Sequence, residues 1–545
     1  MTQKPSMPRR SFIGQVGAGA AAFTAMQALS SFGRSSRALA EIGPTTGEAR
    51  RLAALQMRQD MAQLAYDRPL PAHPDNGEES DYGGTRIASF SKGLPHDALG
   101  QVDPASYNAL LAALNIGTMS AMESVPMAGP ARLVSPLAGL AMDLEGPDNQ
   151  HLAMRTVPRI DSPENSSEMG ELYWMALSRD VSFGDYDLHP MVAAAASDIS
   201  RFSDFRGPKS GGAVTPRTLF RGSTPGDLAG PYLSQFLLMD IPYGSLTISQ
   251  RQRTVVGGLN YLTARGAWLQ AQNGQGGGAD AFDKTARFIR NGRDLGQYVH
   301  VDALYEAYLN ACLILLGMGA PLDPGHPYQG TTVQAPFATF GGPHILSLVT
   351  EVATRALKAV WFEKWFVHRR LRPEEFGGRV DAHLSHRATY PIDEELLNSN
   401  AVDEVVRRNN SWLLPQGFPE GCPLHPAYGS GHATVAGACV TILKAWFDES
   451  FVIPNPVVPN HLGTRLEPYT GPDADALTVG GELNKVASNI GSGRNFSGIH
   501  WRTDMSEGMR LGEEVALGIL EEQKAAYAEQ GSFTLTRFDG SVVTI

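Results

Sequence analysis

Pro373 ends a run, Ile345 to Arg372, in which apolar residues recur at helical spacing. It sets the limit of that helix, because proline lacks a backbone donor and clashes with the preceding turn. A second run, Leu304 to Leu316 (LYEAYLNACLILL), is mostly apolar and suited to deep burial. Strand-like alternation is confined to Ser532 to Ile545 (SFTLTRFDGSVVTI), where Asp539-Gly540 gives a hairpin signal. An all-α fold with a small C-terminal hairpin follows.

Pro/Gly-rich connections at 68–104, 203–232, 318–344 and 413–431, with the Gly-rich stretch 272–280, read as loops within the fold. The 545 residues, 42% hydrophobic, can bury one large core or two ordinary ones. The expected organisation is a leader over 1–40, a helical region over 41–300, a helical bundle over 301–530 and the hairpin over 531–545. The formal charge of −11 argues against a nucleic-acid partner, since readers of nucleic acid present a basic face. Cys312, Cys422 and Cys439 lack metal-finger spacing and are read as structural thiols.

Within 1–40, Arg9-Arg10-Ser11-Phe12-Ile13-Gly14 precedes an uncharged Ala/Gly-rich stretch, and Ala38-Leu39-Ala40 offers small residues for cleavage. This pattern resembles a twin-arginine export signal, and Ser11 to Gly33 is too weakly apolar to favour a membrane anchor. Cleavage after Ala40 would remove five basic and no acidic residues, moving the formal charge from −11 to −16. No stable membrane insertion is expected elsewhere.

Against that acidic background, three segments concentrate positive charge: Lys364 to Pro373 (KWFVHRRLRP), His425 to His432 (HPAYGSGH) and Gly493 to Asp504 (GRNFSGIHWRTD). Lys364, Arg372 and Arg494 supply three cations, two of them planar forks that match oxyanion geometry. Ser430 and Gly431 precede a helix-like run, His432 to Phe447, so a hydroxyl and backbone N–H groups would face an anion at the positive end of a helix dipole. His432 and His500 add imidazoles suited to acid/base, nucleophilic or metal-ligating work.

Trp361, Lys364, His368 and Arg372 are spaced three, four and four residues apart, and an unbroken helix would place them on one face within about a quarter turn. Arg494 and His500, six apart, would diverge by roughly 120° on a helix, so a turn over Asn495 to Gly498 is required between them. A helix from about Ile499 to Tyr527 would follow, with Asp504 placed to hold one nitrogen of His500. His368, His383 and His386 have no assigned role.

The order, spacing and residue types of the three segments resemble the vanadium-dependent haloperoxidases, which share a three-part signature with the type 2 phosphatidic acid phosphatases and bacterial acid phosphatases. Arg221-Gly222-Ser223-Thr224-Pro225-Gly226-Asp227, Gly230-Pro231-Tyr232, Ser234-Gln235 and Phe340-Gly341-Gly342-Pro343-His344 resemble the algal bromoperoxidase branch. The resemblance implies two four-helix bundles and assembly as homodimers or larger rings. It further implies vanadate bonded by His500 and bound through Lys364, Arg372, Arg494, Ser430 and Gly431, with His432 as acid/base and Lys364 as a further proton donor. Hydrogen peroxide would oxidise halide to hypohalous acid, which halogenates a small organic acceptor. A structural calcium is also implied, although no acidic loop shows its ligand spacing.

Two residues point to different branches. His425, seven before His432, resembles the bromide-oxidising members, whereas Trp361, three before Lys364, resembles the chloride-oxidising ones. Bromide and iodide are the expected halides, with chloride slower. Gly429 replaces the family's proline before Ser430, which predicts a less preorganised anion loop. Two other readings stay open: an acid phosphatase with His500 as nucleophile and His432 protonating the leaving group, or an exported oxyanion-binding protein without turnover. The seven residues between Lys364 and Arg372, against six usual in the phosphatases, favour the peroxidase reading.

Overall fold

The computed structural model describes residues 46–545. The twin-arginine pattern and the expected cleavage point lie outside the described residues. Two compact units divide the chain, 1–60 and 61–545. Of the first unit the described part begins the helix Gly47–Asp67, and the second holds everything treated below.

The described residues are mostly helical, with sixteen α-helices and three two-stranded antiparallel hairpins. One hairpin, Thr534–Thr536 with Val542–Thr544, turns through Gly540 at φ 85° as the Asp-Gly pair predicts. The other two, Ile241–Tyr243 with Leu246–Ile248 and Val457–Pro459 with Leu466–Pro468, were not expected from the sequence. Neither segment carries the Asp-Gly pair that marks the C-terminal hairpin. The apolar run from Leu304 forms the helix Glu306–Met318, ended by Gly319 in the left-handed region.

The helix Gly431–Trp446 is the centre of the molecule, and every residue in it except His432 is buried. It packs on Gly342–Phe362, Val479–Phe496 and Arg502–Ala526. Glycine makes the last contact close: a Cβ at Gly512 would lie 2.0 Å from the Thr434 carbonyl oxygen, and one at Gly437 would lie 2.0 Å from that of Met509. The helix Gly342–Phe362 turns Ile345, Leu348, Val349, Val352, Ala356 and Val360 inward, an amphipathic stripe that buries one face.

The helix expected to continue to Arg372 does not. Regular α-helix stops at Phe362, a wider π-turn runs over Glu363–His368, and Arg369 reverses the chain at φ 39°. Arg372 is instead the residue that caps Pro373–Leu384. The extra residue in a π-turn re-aims side chains, a geometry that 3.6-residue spacing cannot show.

Among the described residues no helix is long and apolar enough to cross a membrane. Cys312, Cys422 and Cys439 are all buried and unbridged.

Candidate active site

Three chain breaks bring the basic segments together. At the first, Lys364 leaves the π-turn and donates from Nζ to the carbonyls of Pro426 and Ala427, each at 2.8 Å. Arg372 donates from Nε and Nη2 to the His425 carbonyl at 2.9 and 2.7 Å, and from Nη1 to that of Ile499 at 2.7 Å. The same Nη1 lies 3.0 Å from Nε2 of His500. Both cations are fully buried.

The second break is the start of the central helix. Ser430 caps it, and the Ser430 N–H donates to the carbonyl of Asp504 at 2.8 Å. Gly431 opens the helix beneath the Trp361 ring, where a Cβ would meet Cζ3 at 3.1 Å. Close packing surrounds Gly429, where the sequence predicts a less preorganised loop. A Cβ at Gly429 would lie 2.8 Å from Cε of Met154 and 3.2 Å from Cα of Gly508. Glycine marks a close approach of the loop to the helix Arg502–Ala526, and tight packing restrains what a proline would otherwise fix.

The third break lies between Val479–Phe496 and Arg502–Ala526, where Gly498 at φ 80° makes the turn needed to aim Arg494 and His500 together. The second of these helices begins at Arg502, three residues later than expected. His500 Nδ1 lies 2.8 Å from Asp504 Oδ2, which also accepts the Trp501 N–H at 3.1 Å. A carboxylate partner makes Nδ1 the protonated nitrogen and leaves the lone pair on Nε2, the nitrogen that faces Arg372. Burial, together with Arg372 and Lys364, holds the His500 pKa well below the usual histidine value.

Trp361, Lys364 and Arg372 therefore share a wall, but His368 does not. Its ring turns to the far side, 4.9 Å from the Tyr428 ring, with Nε2 3.0 Å from Glu363. His425 sits between Trp361, at 4.8 Å between ring centroids, and Arg372 Nη2, at 2.9 Å from Nδ1. The Trp361 ring also lies 5.6 Å from the Lys364 ammonium.

Two residues missing from the sequence reading complete the site. Asp302 Oδ1 lies 2.9 Å from His432 Nε2 across 130 residues of chain, with nothing local to signal the pairing. Arg370 donates to the other oxygen of Asp504 at 2.8 Å and to Glu168 at 2.8 Å. It stands inside the basic segment, but only the fold separates this carboxylate-paired arginine from Arg372.

The electrostatics point to an anion. Every protein partner of the Lys364, Arg372 and Arg494 side chains is a backbone carbonyl or a neutral imidazole, and among the described residues none pairs with a carboxylate. Arg494 donates to the Val299 carbonyl, and its buried Nε has no hydrogen-bond partner among the described residues. Burial, reinforced by Arg372, pushes the Lys364 pKa well below the usual lysine value, and burial brings Arg494 down to about 10. Buried cations normally require pairing. Two forks, an ammonium, a hydroxyl, a helix N-terminus and one proton-free imidazole nitrogen form a donor set that fits a tetrahedral oxyanion such as vanadate. Among the described residues no group of three or more His, Cys, Asp or Glu side chains could hold a different metal ion.

A mostly helical fold whose buried cations and carboxylate-oriented imidazole suit an oxyanion defines the class. Residues 399–528 match the family model described as the VCPO second helical-bundle domain. The chain is 39% identical to the vanadium-dependent bromoperoxidases of Corallina pilulifera and Corallina officinalis, over 91% of this chain and 99% of each of theirs. It is 35% identical to that of Ascophyllum nodosum, over 84% and 86%. The homohexameric structure of the second vanadate-dependent bromoperoxidase of Ascophyllum nodosum superposes with a TM-score of 0.87 at 29% identity, over 91% of this chain and 90% of that one. The chain belongs to the vanadium-dependent haloperoxidases, on their bromoperoxidase branch.

Proposed function

We propose that this protein uses vanadate and hydrogen peroxide to oxidise bromide and iodide, and chloride more slowly, to hypohalous acid that halogenates small organic acceptors. The observation that carries the site is the set of three buried cations that pair with no carboxylate among the described residues, arranged about the proton-free Nε2 of His500. Lys364, Arg372, Arg494, the Ser430 hydroxyl and the Gly431 N–H would hold the oxyanion, and His500 would bond the metal. Bound vanadate supplies a Lewis-acidic centre of fixed oxidation state that polarises peroxide.

The chain's own groups do the rest. The cations absorb oxyanion charge without reorganising, because neighbouring carbonyls already hold them in place. Asp302 orients His432 for proton transfer, as a carboxylate orients a catalytic imidazole elsewhere. Trp361 and His425 form the halide side of the pocket, and the similarity to vanadium-dependent bromoperoxidases supports bromide as the principal substrate.

Metal-stripped protein tested for peroxide-dependent bromination of a dione, before and after orthovanadate, decides the reading. Vanadate-restored bromination supports it. Phosphate-ester hydrolysis suppressed by vanadate, without bromination, would reassign the pocket to a phosphatase, and binding without either activity would leave an oxyanion carrier.

Assembly into a homo-oligomer is supported by the homohexameric relative. Export by the twin-arginine route is supported by Arg9-Arg10 and the small residues at Ala38-Leu39-Ala40. Substituting both arginines by lysine should trap the precursor inside the cell. The calcium suggested by resemblance gains no ligand cluster among the described residues, and no site is assigned to it.

A further inference from the structure

Three of the chain's 17 methionines, Met119, Met122 and Met127, line one open cavity of about 630 Å³. Its lining also takes in residues on either side of Val134, among them Leu133 and Leu137 of the segment 131–138. That segment is also the outer support of the active site. The Val134 carbonyl accepts the Trp361 indole N–H at 3.0 Å, and the Val134 N–H donates to the carbonyl of Leu424, the residue before His425, at 3.0 Å. Met127 reaches the same layer: a Cβ at Gly93 would lie 2.8 Å from both Met127 Cε and Leu424 Cδ2. Met122, Met127 and Trp361 pack on one satellite core around Phe90 and Trp365. One strip of chain thus separates three thioethers from the tryptophan and histidine on the halide side of the pocket.

We propose that Met119, Met122 and Met127 form a thioether trap for hypohalous acid escaping past Trp361, an inference that rests on the haloperoxidase reading. The thioether sulfur attacks the electrophilic bromine of hypobromous acid, breaking the O–Br bond and releasing hydroxide. Water then adds to the bromosulfonium sulfur, bromide leaves and two protons are lost, giving methionine sulfoxide. Sulfur loses two electrons and bromine gains them. The soft thioethers, with Met119 exposed and Met122 and Met127 partly buried, would be consumed before the Trp361 indole.

Exposure alone makes a different prediction, which supplies the test. Met142 is 86% exposed and Met119 70%, whereas Met122 and Met127 are partly buried. The full protein with vanadate, peroxide and bromide is quenched after limited turnover, its peptides are mapped for sulfoxide, and a parallel sample receives reagent hypobromite. The trap predicts Met122 and Met127 oxidised at least about threefold more than Met142 during turnover, with Met142 leading under the reagent. The same order in both samples, or unmodified trap methionines while the dione is brominated, overturns the inference. Absence of dione bromination would instead bring down the functional reading beneath it. The variant Met119→Leu/Met122→Leu/Met127→Leu, checked by thermal melting, should keep its initial rate but complete severalfold fewer turnovers before inactivation. An unchanged turnover total would remove the protective role.

Discussion

His500 Nδ1 and Asp504 Oδ2 lie 2.8 Å apart, four residues along the chain and across the start of a helix. The pair fixes which nitrogen of His500 faces the three cations, and Arg370 holds Asp504 from its other oxygen. Asp504 also meets the Trp501 N–H, so one carboxylate both caps the helix and orients the candidate metal ligand.

His500→Ala should abolish vanadate binding and with it bromination. Asp504→Asn should weaken vanadate binding by about 10- to 100-fold, the range seen when the partner of a metal-bound imidazole is removed. Equilibrium dialysis with orthovanadate measures both, and an unaltered affinity in His500→Ala would exclude it as the metal ligand.

His432→Ala should retain vanadate but lose roughly 10²- to 10⁴-fold in kcat, the share that a positioned acid/base contributes. Equal loss of vanadate in this variant and in His500→Ala would undo the division of roles. Burial and Arg494 lower the His432 pKa, and Asp302 partly offsets them. Asp302→Asn removes that support, so the part of the pH–rate profile that needs protonated His432 should move to lower pH. A profile superimposable on the parent's would show that Asp302 does not tune this residue.

Exchanging His425 for Phe should change the ratio of bromide to chloride oxidation while vanadate affinity changes little. His425 stands between Trp361 and Arg372 without being one of the oxyanion's cations. Steady-state rates on the two halides give the ratio, and no change in it would take His425 out of the halide site.

Gly429→Pro, which restores the family residue, should destabilise this chain by about 1–3 kcal/mol through overpacking against Met154 and the backbone of Gly508. Chemical denaturation measures the loss. A stabilised variant would show that the neighbouring helix yields and that backbone restraint is the larger effect.

Stability should fall in mild acid through His96, whose pKa burial, aided by Arg379, lowers from 6.5 to about 4. The unfolded chain takes up this proton first, so the contribution is full above about pH 6.5 and declines as pH falls towards 4. His96→Gln should flatten the drop in melting temperature across that window, by an amount equivalent to at most about 3 kcal/mol. An equally steep drop in the variant would place the acid sensitivity elsewhere.

Chemistry was legible in the sequence where it is local. Lys364, Arg372, Ser430, Gly431, Arg494 and His500 are named by short motifs, and the His500–Asp504 pair follows from spacing across a helix start. The all-helical architecture was legible too, because burial of one helix face imposes a periodicity on the chain. What depends on distant contacts was not. The π-turn that separates His368 from Lys364, the approach of Met154 and Gly508 to Gly429, and the 130-residue reach from Asp302 to His432 leave no trace in spacing. Sequence fixes which groups are available and their local geometry; packing of one helix on another decides which of two arginines meets a carboxylate and which is left for an anion.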